Sequence, residues 1–307
     1  MKKAYIVLAH KHPRQLRRLL GTLDDGSSTF FVHIDKGQVL HDFSDIAELG
    51  EKVALVEREY SRWARIGIVR AILNALALID RRRGDFDRII LLSGQDYPIK
   101  SNQQIDEFLR RSPYSIFMDH WRIPNVEKWP HRGGLSRIDR YFMGLTTAQL
   151  AIARTANLAA RFVPALRRRM PGGLEPFGGW MWWILDPDAV RHILGYVGRH
   201  PEYLAFHRYT FAPDEVFFQT ILMNSKREDL LQRICNDDLR YTDWPRLESH
   251  PRILTKADLP ALIDSKDLFA RKFDIEVDED ILDAIDAARN RAVPPHAGGA
   301  SDSAPPI

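Results

Sequence analysis

The sequence is poor in the features that usually settle a function quickly. It holds a single cysteine, Cys235, which excludes an intramolecular disulfide and fits a reducing compartment. Formal net charge is only +3, so no global field argues for nucleic acid as a partner. No window approaches the roughly 18–20 apolar residues of a membrane span. The opening "MKKAYIVLAHKHP" sets basic residues before an apolar run, but that run is shorter than the roughly 7–15 residues of a signal-peptide core. His10, Lys11 and His12 cut it off, and it reads as a first core strand. No Walker A loop is present, and no G-x-G-x-x-G follows that strand. The expected location is the cytoplasm, with peripheral attachment to the inner face of a membrane as a variant.

What is present suits a full hydrophobic core: 307 residues, 45% of them hydrophobic and 28% charged. The first half alternates short apolar runs ("AYIVLAH", "FFVHID", "VALVE", "RIILLSG", "SIFMDH") with amphipathic helical patterns. That alternation predicts an α/β fold with a Rossmann-like, mostly parallel central sheet flanked by helices. Ser101 is placed to cap one helix, and His12-Pro13 opens another. In the second half, a helix over "TTAQLAIARTANLAARFVPALRRRM" is interrupted at Pro164. "GGWMWWILD" reads as an aromatic strand and "DPDAVRHILGYVGRH" as a capped helix. A single domain is expected over residues 1–292, followed by a disordered Pro/Gly/Ser-rich tail at 293–307.

Ligands of open α/β sheets sit at the carboxyl ends of the strands. Polar clusters fall there at His10-Lys11, at His33 to Lys36, and at Ser93, Gln95 and Asp96. Each alone is a routine strand-to-loop transition; together they suggest one ligand-facing edge. The Asp-x-Asp string at 186–188 is explained by a helix start, and the one at 278–280 by a helix start or a solvated loop. His33-x-Asp35 offers one imidazole and one carboxylate, thin for a hard cation, so neither a required metal nor another cofactor is expected. Without a metal, a diphosphate leaving group needs fixed positive charge. Arg252 and Lys272 are candidates, although surface cations abound. Trp180 and Trp182 lie in an aromatic run whose alternate positions face opposite ways, and with Trp63, Trp129 and Trp244 they could stack on sugar rings as readily as fill a core.

Two stretches admit two readings each. In "FAPDEVFFQTI", Asp214 and Glu215 follow a proline, as acids do at a helix start; one of them could equally be a base held on a rigid element. The helix ending in Arg167 to Arg169 fits both a plain amphipathic helix with cations at its C-terminus and one lying on an anionic membrane surface.

Taken in order, "AYIVLAHKHPRQLRRLLGTL", "FFVHIDK", "SRWARIGIVRAILNAL", "RIILLSGQDYPIKSNQQI", "FGGWMWWIL", "FAPDEVFFQTILMNS", "YTDW" and "LFARKF" resemble the core-2/I-branching β-1,6-N-acetylglucosaminyltransferase family, which includes the peptide-O-xylosyltransferases. The resemblance runs from about residue 3 to 275. Departures are the missing anchor, stem and cysteine framework of the Golgi enzymes, which together imply a bacterial member without an anchor. The resemblance implies a GT-A type fold and inverting, metal-independent transfer from a UDP-sugar, GlcNAc first and xylose as the alternative. The acceptor would be a glycan or glycolipid hydroxyl in surface-polysaccharide or glycoconjugate synthesis.

It also implies roles. Glu215 is the base, and Arg252 and Lys272 neutralise the diphosphate. His10, His33, Asp35, Arg62, Trp63, Ser93, Gln95 and Asp96 lie on the nucleotide side. Glu127, Lys128 and Arg132 form the acceptor cluster, joined by Trp180, Trp182 and Trp244. Asp214 is then left to cap the helix or to orient a neighbour. A catalytically idle sugar- or nucleotide-binding scaffold is the competing reading.

Overall fold

The computed structural model describes residues 1–47, 49–82, 85–245 and 250–291. The tail expected at 293–307 lies outside these residues. Twelve strands are present among them: β1 (Lys3–Ala9), β2 (Ser28–Ile34), β3 (Val53–Leu55), β4 (Arg88–Ser93), β5 (Asp96–Pro98), β6 (Ile116–Met118), β7 (Trp121–Arg122), β8 (Phe177–Gly178), β9 (Trp183–Leu185), β10 (Ile234–Cys235), β11 (Arg240–Thr242) and β12 (Phe269–Arg271).

Seven form the central sheet, in the order β10-β6-β9-β4-β1-β2-β3. Neighbouring strands run parallel except around β9, which is antiparallel to both β4 and β6. The inner parallel strands β1, β2 and β4 are buried on both faces, which explains their unbroken apolar runs. Successive residues of β1 serve opposite layers. Tyr5, Val7 and Ala9 join one core with the Pro13–Leu23 and Asp280–Arg291 helices. Ala4, Ile6 and Leu8 join the other with the Gly67–Arg81 and Pro187–Arg199 helices. This is the α/β, GT-A type architecture expected.

Local signals explain several helix starts. Ser101 accepts from Gln104 N, and Gln104 answers Ser101 N in a reciprocal capping box. Asp186 caps the Pro187–Arg199 helix through Ala189 N at 2.8 Å. The interrupted helix is also as expected, running from Thr147 to Phe162 and giving way to a 3-10 turn at Pro164–Leu166.

Two expectations are corrected. The aromatic strand is shorter than "GGWMWWILD": only Trp183–Leu185 pairs in the main sheet, because Gly179 N donates instead to Glu215 O at 2.9 Å. Asp214 is not a helix cap. Pro213–Glu215 forms its own 3-10 turn, the helix starts later at Phe217, and no side chain caps it.

Two small sheets complete the edge above β1 and β4. β12 lies between β11 and β5, and β7 pairs with β8. β12 carries Arg271 and leads directly into Lys272, beside the carboxyl ends of β1 and β4.

Candidate functional site

The carboxyl ends of β1, β2 and β4 meet through the chain itself. Asp35 N donates to Ala9 O at 2.8 Å, Gly94 N to Leu8 O at 2.9 Å, and Phe273 N to Gln95 O at 2.9 Å. This floor gathers cations. Lys272 is half-buried, and its ammonium has no hydrogen-bond or ion-pair partner among the described residues. Burial first, and then the charges of Arg271 and Lys11, push its ammonium below the ordinary lysine value. Desolvation first, then Lys11 and Lys272, likewise lower His10. Lys272 is thus a cation without a carboxylate of its own, whereas Lys11 is paired with Asp274 at 2.5 Å and the lowered His10 is largely neutral at pH 7.

Several residues expected on the nucleotide side have protein partners. Asp96 is fully buried, accepting from Ser93 N at 2.7 Å and pairing with Arg240 at 3.0 Å. Gln95 is buried and donates to Phe273 O at 3.2 Å. Ser93 Oγ accepts from Gln95 N at 3.2 Å. His33 is buried with Nε2 accepting from Glu59 N at 2.9 Å, and burial pushes its pKa down to about 4. Asp35 takes Ser61 N and Oγ, both at 2.6 Å, and Gly37 N at 2.7 Å. Burial raises its carboxyl, but these hydrogen bonds outweigh that and hold it below the ordinary value. His33 through Nε2 and Asp35 through Oδ2 therefore fix the 59–61 turn, which carries Arg62 and Trp63 beyond it, while His33 Nδ1 is buried without a partner.

Arg252 differs sharply from Lys272. Its guanidinium meets Asp243 at 2.8 Å and Asp258 at 2.7 Å. Two carboxylates thus already neutralise a charge expected to face a diphosphate.

Glu215 stands on a second structure, a shelf built from three distant segments. Its Oε2 is buried 2.6 Å from Arg137 Nη2, while the side chain as a whole keeps 22% exposure. Arg137 also donates to Phe211 O at 3.3 Å and Ala212 O at 3.4 Å. Its guanidinium lies 4.0 Å from the Trp129 ring centre and 5.2 Å from that of Phe211, a cation–π sandwich that fixes its direction.

The shelf needs glycine at two tight places. Gly134 has φ of +85°, and a Cβ there would strike the Trp129 ring. A Cβ on Gly179 would strike the Asp119 carbonyl.

Burial pushes Glu215 up, with Arg137 opposing. Its neighbour Asp214, buried with Oδ1 unpartnered, is raised to about 7 by burial and by the Glu215 charge. The favourable arrangement near neutrality is therefore a protonated Asp214 beside an ionised Glu215 paired to Arg137.

Aromatic planes surround the shelf. Trp180 stacks on Trp244 with centroids 5.3 Å apart, and Trp121 meets both Trp180 at 5.7 Å and Trp129 at 5.0 Å. Trp63, 48% exposed, packs edge-on against Phe211 at 5.5 Å, and so joins the floor's loop to the shelf. Trp182 lies elsewhere, buried under Arg271 at 4.1 Å and Arg240 at 4.8 Å. Of the expected acceptor cluster, Lys128 rests over Trp121 at 5.4 Å and Glu127 is exposed. Arg132 turns to Asp139 at 2.7 Å. Sequence reading missed Arg137, Trp121 and Phe211. The Gly133-Gly134 pair just ahead of Arg137 was the available signal.

Among the described residues, the group with metal-ligand geometry is His12, Asp274 and Glu276. Lys11 already meets Asp274 at 2.5 Å, and the His12 nitrogens lie 3.1 Å from Asp274 and 3.5 Å from Glu276. The cluster is accounted for as an ion-pair network.

A floor carrying the unpaired Lys272 ammonium, joined through the Trp63–Phe211 contact to a shelf that fixes one carboxylate among aromatic planes, on a GT-A type sheet, defines the class: a protein built like a sugar-transferring enzyme. Comparison with known proteins places it further. The family model described as Core-2/I-Branching enzyme matches residues 3–268, and the chain belongs to that glycosyltransferase family.

Xylosyltransferase 2 of Rattus norvegicus is 24% identical over 316 residues, covering 95% of this chain and 34% of the relative. Beta-glucuronosyltransferase GlcAT14B of Arabidopsis thaliana is 25% identical over 299 residues, covering 92% and 65% respectively. The chain thus spans about a third of the xylosyltransferase's length. The crystal structure of mouse xyloside xylosyltransferase 1 in its apo form aligns with a TM-score of 0.36 at 13% identity, over 87% of this chain and 97% of that one. Among the described residues, no helix is long and apolar enough to cross a membrane.

Proposed function

We propose that this protein transfers a sugar from a UDP-sugar to a glycan hydroxyl with inversion, using Glu215 as the base. One observation carries the reading: Glu215 is held by Arg137 on a fixed shelf while keeping part of its side chain open. Glu215 takes the proton of the acceptor hydroxyl as that oxygen forms a bond to the donor's anomeric carbon. The bond from that carbon to the diphosphate breaks on the opposite face, and UDP leaves with the electron pair, so the configuration inverts. Lys272, with the His10 imidazole beside it, meets the charge growing on the diphosphate, and no metal is required. The exposed faces of Trp63 and Trp244 receive sugar rings. Asp35 holds Arg62 and Trp63 at the nucleotide end.

The relatives named for xylosyl and glucuronosyl transfer weigh toward those donor sugars over GlcNAc. The acceptor belongs to a bacterial surface polysaccharide or glycoconjugate precursor, met at the cytoplasmic side. The test is turnover across a panel of UDP-sugars, each with EDTA and with added manganese, on the native chain and on Glu215→Gln. The expected result is one preferred donor, indifference to EDTA, and a loss of roughly 10²–10⁴ in turnover for the variant. Full activity of Glu215→Gln would remove the base assignment. Metal-dependent turnover would remove the metal-free one, and donor binding without any turnover would favour an idle scaffold.

A further inference from the structure

Residues 140–174 contain Arg140, Arg154, Arg161, Arg167, Arg168 and Arg169 and not one aspartate or glutamate, in a chain whose whole excess is only +3. The stretch folds outward. The Thr147–Phe162 helix buries a single residue, Ala153, and is tied down through Asn157, which exchanges hydrogen bonds of 2.8 and 3.0 Å with the Tyr141 backbone. At about 3.6 residues per turn, Leu158 and Phe162 point away from Ala153, with Ile152 on one flank and Arg154 and Arg161 on the other. Phe162 is 78% exposed, Ile152 56% and Leu158 54%. The apolar stripe is therefore outermost, the inverse of a helix packed on a globular core.

Arg140, Arg154, Arg161 and Arg169 line one groove beside this crest. None of the four has a carboxylate partner among the described residues, and Asp139 in the same groove is taken by Arg132 at 2.7 Å. Arg168 has a different task. It is buried and donates to Phe206 O and Tyr209 O, both at 2.8 Å, and to Thr210 Oγ1 at 2.9 Å. That anchor ends just before the loop that carries Glu215, and Phe142 packs on Phe211 at 5.0 Å, so this face and the shelf share a wall.

We propose that this face docks on an anionic phospholipid bilayer. Phe162, Leu158 and Ile152 enter the boundary between headgroups and acyl chains while the four unpaired guanidiniums meet lipid phosphates. Charge complementarity alone would suit any polyanion. The uncharged apolar crest, exposed between the arginines and solvent, suits a bilayer and not a nucleic acid duplex. The contact is independent of glycosyl transfer and is read without turnover.

The test is co-sedimentation of the full chain with vesicles of phosphatidylcholine alone, or mixed with phosphatidylglycerol, at low and high salt. The native chain is expected to sediment with the anionic vesicles, less so at high salt, and not with the neutral ones. Arg154→Glu with Arg161→Glu, and separately Leu158→Ser with Phe162→Ser, should each weaken binding by about tenfold or more. Arg110→Glu with Arg111→Glu makes the same charge change on a different helix and should leave binding intact; circular dichroism and melting curves establish that each variant is folded. Absence of binding, equal binding to neutral vesicles, or an equal loss in the Arg110/Arg111 variant would overturn the proposal. Tighter binding to duplex DNA than to anionic vesicles would also overturn it and reassign the surface.

Discussion

The floor at the strand ends and the shelf under Glu215 solve the same problem differently. Both must hold charge in place at the edge of the fold. The floor does it with regular elements: β1, β2, β4 and β12 end together, and their side chains inherit direction from strand geometry. The shelf does it with irregular chain, in which Gly134, Gly179, a left-handed Ala212 (φ 45°) and the Arg137 sandwich fix one carboxylate. A floor built on a sheet tolerates local change. A shelf built on close backbone approach does not.

The largest effect expected from breaking this contrast is at Arg137. Arg137→Met keeps much of the side chain's bulk but removes the charge that opposes the burial of Glu215. The folded carboxyl then titrates still higher, so less of it is ionised at neutral pH. Turnover should fall by roughly 10²-fold at pH 7 and partly recover at higher pH. The acidic limb of kcat/KM against pH should move upward in the variant, while Arg137→Lys should move it less. A profile that merely scales down, with its limb unmoved, would mean that Arg137 does not set the state of Glu215.

Glycines give the next comparison. Gly134→Ala must place a methyl group into the Trp129 ring at a φ of +85°, which should cost about 1–3 kcal/mol. Gly94→Ala, on the floor, meets Ala9 Cβ at an ordinary 3.7 Å and should change the melting temperature little. Equal losses at the two positions would erase the distinction between shelf and floor.

The contrast also explains what could be read beforehand. The mostly parallel sheet, the cap at Ser101 and the break at Pro164 follow from apolar patterning, capping and proline chemistry, all local. Lys272 is singled out by its "LFARKF" motif. Arg137 could not be found that way, because its importance lies in contacts with Trp129, Phe211 and Glu215, drawn from separate stretches of chain. Nor could the burial of Trp182. A period-2 reading of "GGWMWWIL" put it with Trp180, but the irregular chain before β9 turns it under Arg240 and Arg271. Asp214 misled for a related reason: proline followed by acids signals a helix start, yet here the turn closes on itself before the helix begins.

Arg252 and Lys272 sharpen the comparison within the floor. Lys272→Ala removes a cation with no protein partner and should weaken UDP binding by about 10–100-fold, measured calorimetrically. Arg252→Ala removes a cation held by Asp243 and Asp258, half-open to solvent. It should weaken UDP binding less and cost about 1 kcal/mol of stability or under. If Arg252→Ala were the more damaging to UDP affinity, the guanidinium would have to exchange its carboxylates for the diphosphate when donor arrives.

The smallest effect is expected at Asp214, and its sign is fixed by titration. The folded carboxyl is raised to about 7 by burial and by Glu215, above the roughly 3.9 of an unfolded aspartate. A raised acid contributes stability below its unfolded pKa and loses it as pH climbs through the folded value. The native chain should therefore lose stability between about pH 4 and pH 7 on account of this group. Asp214→Asn has nothing to ionise there, so its melting temperature relative to the native chain should improve from pH 5 to pH 8. Thermal melts at both pH values decide it. A difference that stayed constant, or turned against the variant at pH 8, would show that Asp214 is ionised in the fold, and that a like-charged pair survives behind the shelf.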